Sequence, residues 1–166
     1  MEMIEEIDWD GNTVAVRTKK EVKENVLVHK ASLVIPRGKN GKFIFAKRGE
    51  TMEPWPGTWC CGIGGKVSSG QSYEEAAVRE SLEEAGVALD VKYVTSFKYD
   101  CSKYKAIFQV FTTKDEVEVS SLVPDPREVQ HFAALSLDSV KEDVDKDPEK
   151  FAPTFVAAFR AFIEAI

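Results

Sequence analysis

The sequence predicts an α+β fold, a mixed β-sheet sandwiched between helices with a β-hairpin at its N-terminal end. Three observations predict it. Strand-like runs fill most of the first two-thirds of the chain. A single strongly marked helix interrupts them at 73–85, and the chain closes on an amphipathic helix. With 166 residues, 43% of them apolar and 30% charged, one domain spanning 1–166 with a sizeable core is expected.

Each element has its own signal. "IEEIDWDGNTVAVRT" carries Asp10-Gly11 between two short apolar stretches, which predicts a hairpin and makes 1–28 a hairpin extension. "HKASLVIP" and "KFIFAKR" read as strands joined at an Asn40-Gly41 turn. "GETMEPWPGTW" is too rich in turn formers for a strand. "CCGI" reads as a short buried strand and "GGKVSSGQ" as a glycine-rich loop. Ser72 and Glu75 form a capping box that opens the helix at 73–85, and Gly86 ends it. "VKYVTSFKYD" and "YKAIFQVFTT" predict a pair of strands, "EVEVS" a further strand, and "REVQHFAALSL" one more. "LDSVKEDVDKD" predicts a short polar helix. In "APTFVAAFRAFIEAI" Phe155, Phe159 and Phe162 recur at i, i+4 and i+7, the core face of a helix. No Rossmann or P-loop signature appears.

A net charge of -6 argues against general nucleic-acid binding, since a phosphate backbone wants a basic face. No apolar run approaches a membrane span, and the acidic start "MEMIEEIDWD" is unlike a signal peptide, so a cytoplasmic protein is expected. Cys60, Cys61 and Cys101 make no disulfide framework and read as small buried hydrophobes in a reducing compartment.

The chemistry concentrates in "RESLEEAG". Glu80, Glu83 and Glu84 crowd the C-terminal end of the helix, where the dipole disfavours each acid by roughly 0.3–1 kcal/mol. At 3.6 residues per turn the three fall on one arc, with Val78, Leu82 and Ala85 as the apolar stripe on the other side. Such a patch is often only a solvated face. Here it follows a glycine-rich segment, which can bring backbone carbonyls close to an ion. A hard divalent cation relieves carboxylate repulsion, and Mg²⁺ is commonly shared between carboxylates and substrate phosphates. The charges alone therefore predict metal-dependent phosphate chemistry.

Gly65, Arg79, Glu80, Glu83, Glu84, Gly86 and Val87 in "GGKVSSGQSYEEAAVRESLEEAGV" carry the spacing of the Nudix box, and 65–87 resembles it as a loop–helix–loop. The resemblance implies hydrolysis of a nucleoside diphosphate derivative, a small-molecule substrate, with Mg²⁺ or Mn²⁺. It implies metal ligation by Glu80, Glu83, Glu84 and the Gly65 carbonyl, and an Arg79 that orients the glutamates. Glu83, Glu84 and Arg79 thus become candidate catalytic residues, and Glu128 in "DPREVQHF" a candidate general base. Two positions depart from the box. Gln71 replaces its first glutamate, which implies a weaker hold on Arg79, and Ser81 replaces a large apolar residue, which implies looser helix packing. Arg48, Lys66 and Lys47 are candidate phosphate contacts. Trp59, Trp55 and Phe97 are candidates to stack a base or line the pocket. Homodimers are common among similar proteins, and the resemblance extends that expectation here.

Outside the box, "EIDWDGNTVAVRTKKEVKENVLVHKASLVI" and "RGETMEPWPGTW" resemble Nudix proteins of the isopentenyl-diphosphate isomerase branch. Aligned on "WPGTW", the catalytic cysteine of such isomerases falls at Gly64 and a metal-binding histidine at Lys66. Cys60 and Cys61 come too early, and His29 alone makes no metal site. The resemblance therefore implies hydrolysis, with isomerisation as the rival and a non-catalytic binding module, supported only by Gln71, as a second.

Overall fold

In the computed structural model, which describes residues 2–61 and 63–166, the Asp10-Gly11 turn closes an antiparallel hairpin of β1 (Met3–Ile7) and β2 (Thr13–Thr18). The Asp8 carboxylate accepts from the backbone N–H groups of Asp10 and Asn12 at 2.9 Å each, an Asx-type turn. The extension is more than a hairpin. It continues into α1 (Lys19–Glu24), a helix that the strand-like reading of 1–28 overlooks. Thr18 and Glu21 cap it reciprocally, so "TKKE" was its signal, but six residues are too few to show a periodic apolar face.

A four-stranded mixed sheet follows, in the order β6-β3-β8-β7. Its strands are β3 (His29–Val34), β6 (Ile63–Lys66), β7 (Val91–Asp100) and β8 (Lys105–Thr113). β3 and β8 run parallel, while β6 and β7 flank them antiparallel. A second, antiparallel sheet has the order β5-β4-β9, from β4 (Phe43–Arg48), β5 (Trp59–Cys61) and β9 (Val129–Leu135). "CCGI" thus divides between two strands of different sheets, with Gly62 outside the described residues, as is Met1 of the extension.

Two sequence expectations are corrected here. The start of "GGKVSSGQ" is not loop, because Gly64, Gly65 and Lys66 pair with Leu33, Ser32 and Ala31 in β6. "EVEVS" is not a strand. Val119–Ser121 is a 3-10 turn, and the segment is pinned by one backbone bond, Val117 N–H to the Arg37 carbonyl at 2.7 Å. Its alternation serves only to turn Val117 and Val119 toward the core.

The helices cover both sides of the sheets. α2 (Tyr73–Ala85) lies over β3 and β6, and its Ala77 and Ala85 join Val34, Ile44, Ile63, Phe111 and Phe132 in one apolar cluster. α3 (Leu137–Lys146) and α4 (Pro153–Ala165) supply a second cluster. There Phe155, Phe159 and Phe162 are buried as expected, the first two edge-on to Phe45 at 5.6 and 6.2 Å. Among the described residues no helix is long and apolar enough to cross a membrane.

The packing face of α2 differs from the Val78–Leu82–Ala85 stripe. Leu82 is 56% exposed, whereas Ala76, Ala77, Ser81, Ala85 and Glu80 are buried. Small side chains opposite the glycines of β6 let helix and strand approach closely, and that contact sets the rotation of the helix. Ser81 is fully buried. Its hydroxyl donates to the Val78 carbonyl at 2.7 Å and accepts the Leu89 N–H at 3.0 Å. It ties the turn after α2 to the helix, so the looser packing expected at this position is replaced by a specific polar tie.

Candidate active site

The rotation of α2 separates its three acids. Glu80 and Glu84 turn toward β6, and Glu83 turns outward with 57% of its side chain exposed. Gly65 of β6 makes room for Glu80. A Cβ on Gly65 would overlap the Glu80 carboxylate, and one on Gly64 would overlap the Leu33 side chain. The Gly64 N–H instead donates to Glu84 Oε2 at 2.9 Å.

Arg79 holds the end of the helix together. Its Nη1 donates to Glu80 Oε1 at 2.9 Å and reaches Glu83 Oε2 at 3.5 Å. Its Nη2 donates to the Lys66 carbonyl at 3.0 Å, and its Nε to Gln71 Oε1 at 3.3 Å. Glu2, at the start of the extension, approaches Nη2 at 3.8 Å.

Glu128, immediately before β9, enters from the second sheet and lies against the Glu84 side chain. Burial holds the Glu84 carboxyl well above the usual carboxylate range, reinforced by the Glu80 charge and by Glu128 and opposed by the Gly64 N–H. Burial likewise raises Glu80 to about 7, against the pull of Arg79 and with the push of Glu83. Glu80, Glu84 and Glu128 line one cavity of about 550 Å³.

Of the expected substrate contacts, the structure brings Arg48 and Lys66 to that cavity. The Arg48 Nε is buried and has no hydrogen-bond partner among the described residues. The Lys66 ammonium lies over the Tyr104 ring at 5.1 Å and is lowered to about 8 by burial, then by Lys19 and Lys23. Trp59 is not brought there. It packs on the α4 cluster and meets His131 edge-on at 5.5 Å. Phe97 stacks on Phe108 at 4.9 Å, and Lys47 also stays outside the lining. Trp55 does line the cavity.

His29 is a structural residue. It is buried, and its Nδ1–H donates to the Leu27 carbonyl at 2.9 Å, which can only accept. Its Nε2 is then left to accept the Tyr104 hydroxyl at 3.1 Å, and burial lowers the imidazole to about 4. Burial also pushes the Cys60 thiol up to about 12 and raises the Cys61 thiol well above its ordinary value, so neither is a nucleophile at neutral pH.

Sequence reasoning missed one wall of the cavity. Lys19, Val22 and Lys23 of α1, with Val26 and Leu27 after it, line the side opposite the carboxylates' own helix. The capping box at Thr18 was the available signal.

The donor set suits a hard divalent cation: carboxylate oxygens from Glu80, Glu84 and Glu128, against a glycine strand that leaves the Glu80 carboxylate space. Two carboxylates whose charge is disfavoured by burial are what a cation relieves. In the arrangement described, Glu84 is engaged by Gly64 and Glu128, and among the described residues no three His, Cys, Asp or Glu side chains converge at ligand spacing.

Comparison with known proteins agrees with this geometry. An isopentenyl-diphosphate Delta-isomerase of Brevibacterium linens is 27% identical over 167 residues, covering 96% of this chain and 90% of its own. A prenyl-diphosphate phosphatase of Methanosarcina mazei is 26% identical, covering 91% and 89%. In fold, the chain is similar to a crystallised Deinococcus radiodurans protein, with TM-score 0.81 at 18% identity over 97% of this chain and 99% of that one. The NUDIX domain family model matches residues 27–155, and with Glu80 and Glu84 of α2 at the cavity, the chain belongs to the Nudix family.

Proposed function

We propose that the chain hydrolyses the P–O–P bond of an organic diphosphate with the help of Mg²⁺ or Mn²⁺. The observation that carries this reading is the buried Glu80–Glu84 pair facing Glu128 in a cavity that also holds Arg48 and Lys66. Glu80 and Glu84, with the Gly65 carbonyl, would hold the cation, and Glu83 acts from outside through Arg79. A bound divalent cation neutralises phosphate charge and acidifies a coordinated water. Arg79 fixes the Glu80 carboxylate, so the acid is positioned before substrate arrives. The Arg48 Nε–H, unpaired in the cavity wall, offers a donor to a phosphate oxygen, and the Lys66 ammonium adds positive charge beside it. Glu84 and Glu128 lie against each other, and the ionised pair is placed to take the proton of the attacking water.

The organic half has two readings. A nucleoside is the sequence expectation. A prenyl chain is favoured by a specific observation: apolar side chains, among them Val22, Val26, Leu27, Leu33 and Phe108, line the cavity alongside its charged residues, and two of its polar groups, His29 and Tyr104, are already bonded to each other. A base would want free hydrogen-bonding groups there. The name of the Methanosarcina relative points the same way. Isomerisation is disfavoured because Gly64 has no room for a cysteine side chain unless Leu33 moves.

The test is P–O–P cleavage with Mg²⁺, read as inorganic phosphate released from geranyl diphosphate, isopentenyl diphosphate and nucleoside diphosphates, and as nucleoside monophosphate plus sugar phosphate released from nucleotide sugars. Release from at least one, lost on chelation, is expected. Interconversion of allylic isomers without phosphate release overturns the reading in favour of isomerisation, and binding without turnover overturns it in favour of a binding module.

A further inference from the structure

Among the described residues, three that are not glycine have positive φ: Val26 at 49°, Asn40 at 57° and Trp55 at 61°. Asn40 sits in an Asn-Gly turn, where that conformation is ordinary. Val26 and Trp55 are different. One is β-branched and the other bulky, neither favours the left-handed region, and both line the cavity. They come from unrelated segments, the junction after α1 and the loop between β4 and β5.

The Val26 conformation has a recognisable origin. The Leu27 N–H returns to the Val22 carbonyl at 3.0 Å and the Val26 N–H to the Lys23 carbonyl at 3.4 Å. This pair of bonds is the Schellman closure of a helix, and the residue at the Val26 position in it is usually glycine. A glycine would close α1 without steric strain. This chain places a valine there, with its side chain on the cavity wall. Such strain persists where a site uses the side chain it displays. Trp55, which also packs against the α4 cluster, repeats the pattern from a second segment of the lining: its carbonyl accepts the Thr58 hydroxyl at 2.8 Å.

We propose that Val26 and Trp55 form a clamp on the apolar organic end of the substrate, which makes the N-terminal extension part of the substrate site. The clamp rests on the diphosphate reading above and adds the residues that select the organic group. Val26 lies just before residues 27–155, so the selecting residue belongs to the extension and not to the matched domain.

Equilibrium binding separates this from a structural role. Calorimetry with Mg²⁺ on the otherwise unaltered chain, using methylene-bridged analogues so that no P–O–P bond can be cleaved, compares geranyl diphosphate with inorganic pyrophosphate. Val26→Gly removes the side chain and suits the backbone, so its melting temperature is expected at or above that of the parent. Its affinity for geranyl diphosphate is expected to fall about 10-fold, the scale of one lost apolar contact, and that for pyrophosphate by less than about 2-fold. Val26→Asn tolerates the same backbone and keeps the volume, so it guards against a packing defect; it is expected to show the same selective loss. Trp55→Gly tests the other jaw in the same way. Equal losses for both ligands, or a lowered melting temperature with unchanged affinities, overturn the clamp. So does failure of the parent to prefer geranyl diphosphate over pyrophosphate. Selective binding without phosphate release from any diphosphate leaves the clamp standing and overturns the hydrolytic reading alone.

Discussion

Arg79 is held on one side by a neutral partner. Its Nε–H reaches Gln71 at 3.3 Å, while its charged bonds go to Glu80 at 2.9 Å and Glu83 at 3.5 Å. A carboxylate at 71 would turn that contact into an ion pair with the guanidinium. Gln71→Glu is therefore expected to leave kcat/KM equal or higher, with a melting temperature at least as high; a strong drop in kcat/KM would mean that Gln71 has another role. Glu84 gives the complementary case. Glu84→Gln keeps an oxygen for the Gly64 N–H but removes a buried negative charge. Turnover is expected to fall at least about 100-fold, with metal-free stability kept or raised. A variant that stays active, or one that unfolds readily without metal, contradicts the assignment. That three acids cluster here was legible in the sequence from their spacing. Which two enter the cavity was not, since Glu83 and Glu84 differ only by the rotation of α2, and the glycines of β6 set that rotation.

At the scale of elements, legibility followed the strength of local signals. The hairpin, α2 and its caps, the paired strands β7 and β8, and α4 with its phenylalanines each carry a turn, a capping box or a clear period. α1 has a capping box but no period, and the end of "EVEVS" has neither, because a six-residue helix and a singly pinned loop owe their form to their neighbours. Ser81 shows how far tertiary packing overrides a motif. A leucine there satisfies the box pattern but not this helix, whose fully buried Ser81 accepts the Leu89 N–H in a space too small for a larger side chain. Ser81→Leu is expected to destabilise by about 1–3 kcal/mol, from overpacking and an unsatisfied buried N–H. Ser81→Ala removes the bond without the bulk and should cost less. Chemical denaturation of both variants checks the order; a more stable Ser81→Leu would return Ser81 to a mere packing gap.

The whole molecule assembles its charge from separate regions: Glu2 and Lys19 from the extension, Glu80 and Glu84 from α2, Glu128 from the second sheet. Its metal-free stability should register that assembly through pH. Glu80 is raised to about 7 and Glu84 is raised well above the usual range, so near neutrality the folded chain binds more protons than the unfolded one. Stability from these groups is full below the unfolded value near 4.5 and is lost as pH rises through the folded values. His29, lowered to about 4, acts oppositely: its contribution is full above the unfolded value of 6.5 and is lost as pH falls. Lys66, lowered to about 8, adds stability only above that pH. The carboxylates therefore outweigh the other two between about pH 6.5 and 8, most clearly near pH 7, and there the melting temperature in chelator is expected to fall. A domain of this size shifts by roughly 2–4 °C for each kcal/mol. Mg²⁺ binds the ionised acids, so it should stabilise more at pH 8 than at pH 6.5 and flatten the slope. Glu84→Gln should flatten it without metal. Thermal melts at both pH values, with chelator and with Mg²⁺, decide the matter: a metal-free melting temperature that stays level or rises across that window would mean the two acids carry no buried charge for a cation to relieve.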